Sequence, residues 1–205
     1  ITRISYNVRE MDRVELPLDS KSFRGFVKQG RINWFNITGL TDYDAINCLL
    51  DDFGFDVALD GKDVLTPHHV VKVDDYSDHV IVIMGSCFLD SRRRVGSEHI
   101  CMLVKEDLVL TFSELESSLF TEIEEALSKN IMDIRGQKSG MLLAFLLNAV
   151  LAQLIEAALF IEDQLEDLEK NMEGFAGSVK YILGQADKGA ISGVIGPVSS
   201  LISTE

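Results

Sequence analysis

The residues best suited to chemistry lie between positions 68 and 79. There His68, His69, Asp74, Asp75, Asp78 and His79 offer the nitrogen and oxygen ligands a transition metal takes. Adjacent histidines point away from each other in an extended chain, so a polar loop between two strands explains the same residues without a metal. A metal-dependent hydrolase using His68, His69 and Asp74 would need a deep pocket that gathers them. Asp42, Asp44, Asp51, Asp52, Asp56, Asp60 and Asp63 form a second acidic concentration, countered only by Lys62. Mg2+ takes oxygen ligands, keeps several waters and needs only one or two carboxylates, which leaves no strict spacing to detect. A solvated acidic face gives the same pattern. No GxGxxG, GxxxxGK[ST], HExxH or GxSxG occurs, so no enzyme is expected. Cys48, Cys87 and Cys101 form no CxxC pair and read as buried free thiols of a reducing, cytoplasmic setting.

These residues need a scaffold, and the composition supplies one. The chain has 205 residues, 46% of them apolar and 25% charged, an ordinary globular balance. Nineteen Lys and Arg against thirty-three Asp and Glu give a net charge of −14. That field repels a phosphate backbone and attracts cations or basic partners, so nucleic acid is not an expected ligand. Ile4, Tyr6 and Val8 alternate with polar residues, as do Ile32, Trp34 with Phe35, and Ile37, and both stretches read as half-buried strands. Thr41 or Asp42 can cap a following helix whose stripe is Ile46, Leu49, Leu50 and Phe53, stopped by Gly54. After a polar stretch from Asp56 to His69, the run Val80 to Met84 is the signature of a strand buried on both faces. Arg92, Arg93, Arg94 and Gly96 form a solvated hairpin tip whose second arm is Ile100 to Val104. Leu108 to Phe112 is a further strand.

From Ser113 the signal turns helical, with Ser113 and Glu116 as a capping box before Leu115, Leu119, Ile123 and Leu127. Leu147, Leu151, Leu154, Ala158, Ile161, Leu165, Leu168, Met172, Phe175, Val179 and Ile182 then recur at steps of four and three. This is the 3.5-residue seam of a long helix that packs on another helix and projects beyond the sheet. The charge-free run from Ser139 to Ile155 is shorter than the roughly 20 apolar residues a bilayer needs, so it reads as a buried helix. The tail from Ala190 to Thr204 is broken by Gly193, Gly196 and Pro197, so no part of the chain is expected to cross a membrane. Ile1 opens the chain without Met or a signal-peptide pattern, which reads as an excised segment.

The order of these segments resembles the cytoplasmic domain of CorA-type magnesium transporters, a family that includes ZntB-type zinc transporters. Arg31-Ile32-Asn33-Trp34-Phe35-Asn36-Ile37 is similar to the family's hydrophobic-Asn-Trp-Ile strand, followed by Gly39-Leu40 and a helix ending in Phe53-Gly54-Phe55. Lys62-Asp63-Val64-Leu65 stands where the family has Glu-Asp-hydrophobic-Leu. Val71-Lys72-Val73 with Asp75-Tyr76 resembles Pro-Lys-Val-Glu then Asp-Tyr, and Glu98 to Val104 with Leu108 to Phe112 resembles the strand pair ending in Leu-Thr-Phe. Arg135, Gly140, Leu142, Leu143, Leu146 and Leu147, then acids up to Asn171, resemble the family's leucine dyads and acidic stalk.

The resemblance implies an α/β fold: an α/β/α sandwich with a mixed central sheet in residues 1–138, and a long C-terminal helical arm, a truncated stalk, in residues 139–205. It implies the divalent-cation-sensing domain of a Mg2+/Co2+ membrane transporter. Such a transporter is a homopentamer at the cytoplasmic face of the inner membrane, and its transmembrane helices are absent from this sequence. Mg2+ is the implied regulatory ion, with Co2+, Ni2+ and Zn2+ as other candidates. Asp63 is the implied metal residue, contributed to a site between neighbouring subunits. Lys62 replaces the family's preceding Glu, and Asn148, Ala152 and Gln153 replace acids of the long helix, which argues against a second ion per interface. Two alternatives stay open: a stand-alone acidic protein-interaction module with a helical arm, and a ZntB-type zinc transporter domain.

Overall fold

The computed structural model describes residues 1–18, 22–66, 71–115 and 118–185, with side chains up to residue 178. His68, His69, Glu116 and the tail beyond Gln185 lie outside the described residues. Seven strands form one mixed sheet: β1 (Thr2–Tyr6), β2 (Met11–Glu15), β3 (Ile32–Thr38), β4 (Lys72–Asp75), β5 (Val80–Leu89), β6 (Val95–Lys105) and β7 (Leu108–Ser113), in the order β2-β1-β3-β7-β6-β5-β4. β3 and β7 pair in parallel, with Trp34 opposite Val109, and every other pair is antiparallel. Side chains alternate across each strand, so the sheet has two apolar faces. Phe35, Ile37, Ile81, Ile83, Cys101, Leu103, Leu110 and Phe112 pack under α1 (Tyr43–Phe53) and α2 (Asp60–Leu65). Trp34, Val82, Met84, Ile100, Met102 and Val109 pack under α3 (Thr121–Lys129) and the first turns of α4 (Ser139–Gln185). This is the α/β/α sandwich with a mixed sheet and a long C-terminal helix.

Local signals fix several elements. The Asp42 carboxylate accepts the Ala45 N–H at 3.1 Å and so satisfies a first-turn donor of α1. Gly54, with φ 76°, ends the helix in the left-handed conformation and donates back to Asp51 and Leu50. The expected stripe Ile46, Leu49, Leu50 and Phe53 is the buried face. At the β5–β6 tip Asp90 accepts the Arg92 and Arg94 amides at 2.8 and 2.9 Å and pairs with the Arg94 guanidinium.

Two expectations are corrected. The helix expected from Ser113 starts at Thr121. Ser113 is the last residue of β7, held in parallel register with Thr38, and its hydroxyl donates to the Leu115 carbonyl instead of capping a helix. The seam of α4 is not its buried face either. Leu142, Leu146, Val150 and Ala157 are buried, whereas Leu151 is 50% exposed. The compact units are Ile1–Ala157 and Ala158–Glu205. Leu142, Leu146 and Val150, in the first turns of α4, complete the core of the first unit. In the second unit Ile161, Leu165, Leu168, Met172 and Phe175 are all exposed. Between Ser139 and Ser178, α4 is long and apolar enough to cross a membrane by length and composition.

One buried charge sits badly in this core. Glu98 is buried on β6; one carboxylate oxygen accepts the Leu115 N–H at 3.3 Å, while Oε1 has no hydrogen-bond partner. Burial pushes its carboxyl above the ordinary value, against the pull of the Leu115 amide, and the Glu114 charge adds to the rise. A carboxyl whose pKa is raised by folding costs stability as pH climbs from its unfolded value through its folded one. Glu98→Gln is therefore expected to stabilise the fold at pH 7 by about 1 kcal/mol. The gain should vanish in melts below about pH 4, where the unfolded-state carboxyl is also protonated. A gain of equal size at both pH values would refute the charge argument.

Candidate functional site

α2 and the β4–β5 corner gather the polar residues at one end of the sheet. α2 is only six residues long and has no apolar stripe, so tertiary contacts hold it. The Asp56 carboxylate accepts the Ala58 and Leu59 amides ahead of the helix, and the Asp60 carboxylate accepts the Asp56 N–H at 2.9 Å. Asp60 is fully buried; its other oxygen lies 3.3 Å from His79 Nε2, and His79 Nδ1 lies 2.8 Å from Asp78. Tyr76 stacks on the His79 ring at 4.7 Å and Phe55 meets it edge-on at 5.2 Å. Lys105 closes the corner, 2.9 Å from Asp78 and donating to the Gly54 carbonyl. Lys105 first, then His79, holds the Asp78 carboxyl down at about 2.

Beside this corner stands Asp63, with its side chain 9% exposed. Lys72 Nζ, on β4, donates to Asp63 Oδ2 at 2.7 Å and lies 2.7 Å from Asp74 Oδ2. Lys72 and Asp74 share one strand face because they are two residues apart. The Lys72 ammonium, by hydrogen bond and charge, lowers the Asp74 carboxyl, and Asp63 and then Asp74 raise the Lys72 pKa. His99 Nε2 lies 3.2 Å from the Asp63 carbonyl oxygen. Cys101 follows on the same strand face, and burial pushes its thiol well above the ordinary value, which leaves no thiolate nucleophile.

The sequence-derived candidates separate accordingly. Asp74, Asp78 and His79 are drawn into ion pairs and ring contacts, and His68 and His69 lie outside the described residues. Among the described residues no group of three or more His, Cys, Asp or Glu side chains could hold a metal ion. The acidic concentration before Asp63 is largely structural: Asp42 caps α1, Asp56 accepts the turn amides ahead of α2, and Asp52 accepts the Phe23 and Arg24 amides at 2.6 and 2.7 Å. On α4, Asn148 and Ala152 are exposed, while Gln153 accepts a hydrogen bond from Ser86 at 2.8 Å. The residue that sequence reasoning missed is Lys72. Its i, i+2 spacing to Asp74 is visible in the sequence, but nothing local announces the reach to Asp63.

Asp63 and Asp74 are two carboxylates that meet at one positive charge, and the Lys72 ammonium is that charge in the single chain.

Residues 29–185 match the family described as CorA-like Mg2+ transporter protein. The chain is 24% identical over 170 residues to the cobalt/magnesium transport protein CorA of Thermotoga maritima, covering 82% of this chain and 48% of that protein. It thus spans about half the length of that curated relative. Among solved structures, the soluble domain of CorA from Methanocaldococcus jannaschii matches with a TM-score of 0.61 and 19% identity, over 85% of this chain and 66% of that one. The ZntB cytoplasmic domain from Vibrio parahaemolyticus matches at 0.52 and 16% identity, over 85% and 64%.

Proposed function

Because the chain belongs to the CorA-like Mg2+ transporter family, we propose that it is the cytoplasmic, divalent-cation-sensing domain of a Mg2+/Co2+ transporter. In this reading its role is regulatory rather than enzymatic. The observation that carries it is the family match across residues 29–185, which takes in most of the sheet and the described length of α4. The domain works as a homopentamer at the cytoplasmic face of the inner membrane, joined to membrane helices outside these 205 residues. A net charge of −14 per copy makes assembly self-repelling, and bound Mg2+ offsets that repulsion where copies meet. An ion shifts the equilibrium between open and closed assemblies only by its differential affinity for the two, so several weak sites act together. The exposed Ile161, Leu165, Leu168, Met172 and Phe175 leave an apolar stripe suited to helix association.

Asp63 is the proposed regulatory carboxylate, with Mg2+ as its ion. It lies on α2 beside the edge strand β4, with its side chain 9% exposed. In the full-length transporter, Asp63→Ala is expected to raise the Mg2+ concentration that half-inhibits ion uptake by about tenfold, within the range typical of allosteric coupling. Uptake into cells or proteoliposomes across a cytoplasmic Mg2+ series measures it. An unchanged inhibition curve would remove Asp63 from the mechanism.

A further inference from the structure

We propose that the cleft between β2 and α3 binds a small metabolite through its oxyanion group, a phosphate or carboxylate, with Arg135 as the counter-ion. The cleft has a volume of about 420 Å3, within the range of small-molecule sites. Arg13, Thr121, Glu124, Glu125, Ser128 and Arg135 line it, with Met11 as its apolar wall. Its acids are already matched: Arg13 Nε lies 3.0 Å from Glu124, and Lys129 Nζ donates to Glu125 at 2.8 Å. Arg135 is the exception, since among the described residues it forms no ion pair. Its Nη2 donates to the Ser128 carbonyl at 3.3 Å, and its buried Nε has no hydrogen-bond partner. A guanidinium is a planar fork of N–H donors that fits a phosphate or carboxylate two bonds at a time. Among the described residues only the Ser128 carbonyl occupies that fork.

The backbone that presents Arg135 is strained and tied down. Asn130, Met132 and Asp133 hold φ of 50°, 53° and 54°, left-handed values that non-glycine residues adopt at a cost. The Asn130 side chain accepts the Arg135 N–H at 3.1 Å and donates to Asp133 Oδ1 at 3.3 Å, which fixes the turn. Capping the last turn of α3 engages one long hydrogen bond, too little to offset a partly buried cation without a counter-ion. The Thr121 and Ser128 hydroxyls supply donors for the remaining oxygens of the group, and the cleft leaves room for an organic body against Met11. The cleft lies on the sheet face of α3 and α4, opposite α2 and Asp63, and is independent of the cation-sensing reading.

The thermal midpoint of this chain, measured in EDTA against NaCl at matched ionic strength, tests the site with inorganic phosphate, glycerol phosphate and succinate. At least one probe is expected to raise the midpoint saturably, and the preferred probe tells phosphate from carboxylate. Arg135→Gln should move the half-point upward about tenfold or more, the loss expected for hydrogen bonds to a charged group. Arg135→Lys, which keeps the charge without the fork, should move it less. If Arg135→Gln does not fold, Thr121→Val combined with Ser128→Ala takes its place and should weaken binding by roughly threefold or more. Three results would overturn the site: no rise with any probe, a rise that never saturates and so marks an adventitious ion only, or equal half-points for wild type and the substituted chain.

Discussion

Trp34→Ala is expected to cost about 3–5 kcal/mol of folding stability, the upper range for truncating a buried residue. Trp34 is fully buried on the interior strand β3, opposite Ile4 on β1 and Val109 on β7, with Phe120 edge-on at 5.9 Å. Its indole N–H donates to Thr111 Oγ at 3.0 Å, and that hydroxyl donates to Asn36 Oδ1 at 2.8 Å. Alanine opens a cavity between sheet and helices and strips Thr111 of its donor inside the core. A domain stability of roughly 5–15 kcal/mol leaves little after such a loss. Trp34→Phe keeps most of the volume and the ring contact but loses the N–H, and should fall between wild type and alanine. Urea denaturation followed by far-ultraviolet circular dichroism measures both, since the substitution removes the only tryptophan. A loss under about 1 kcal/mol for the alanine variant would mean that Trp34 is not packed in the core between sheet and helices.

That strand was legible in the sequence, as was α1, because both carry their own instructions. The apolar residues of α1 repeat at helical spacing between an Asp cap and a Gly stop, and those residues are the ones buried. The illegible elements borrow their stability. β2, Met-Asp-Arg-Val-Glu, is an edge strand with one apolar residue on each face, Met11 and Val14, each only partly buried against the core. α2, Asp-Gly-Lys-Asp-Val-Leu, buries Asp60 and Asp63, and those carboxylates meet His79 of the β4–β5 turn and Lys72 of β4, both later in the chain. The halves of those pairs lie 9 and 19 residues apart, at separations that neither helix nor strand periodicity links. The candidate site was half legible for the same reason: Asp63 came from a family resemblance, whereas the lysine that faces it came only from the fold. Ser113 misled because a capping pattern counts for less than a strand already paired along its length.

The phase of α4 offers the sharpest contrast between the two sources. A seam read from a 3.5-residue period selects Leu147, Leu151 and Leu154, yet the sheet takes Leu142, Leu146 and Val150. Leu147 and Leu154 lie at the border and pack partly against the core, so the apolar surface of the helix is wide enough to satisfy both patterns at once. What decides is the sheet: Val82, Met84, Ile100 and Met102 present one apolar surface, and the first unit buries the residues that meet it. Leu146→Ala is therefore expected to cost about 2–5 kcal/mol. Leu151→Ala, half-exposed, should change stability by no more than about 0.5 kcal/mol in the isolated chain. Denaturant titrations at two protein concentrations separate packing within the chain from association between copies. A Leu151 penalty that appears only at the higher concentration places the seam between copies, and a concentration-independent Leu151 penalty matching that of Leu146 would show that α4 is turned the other way.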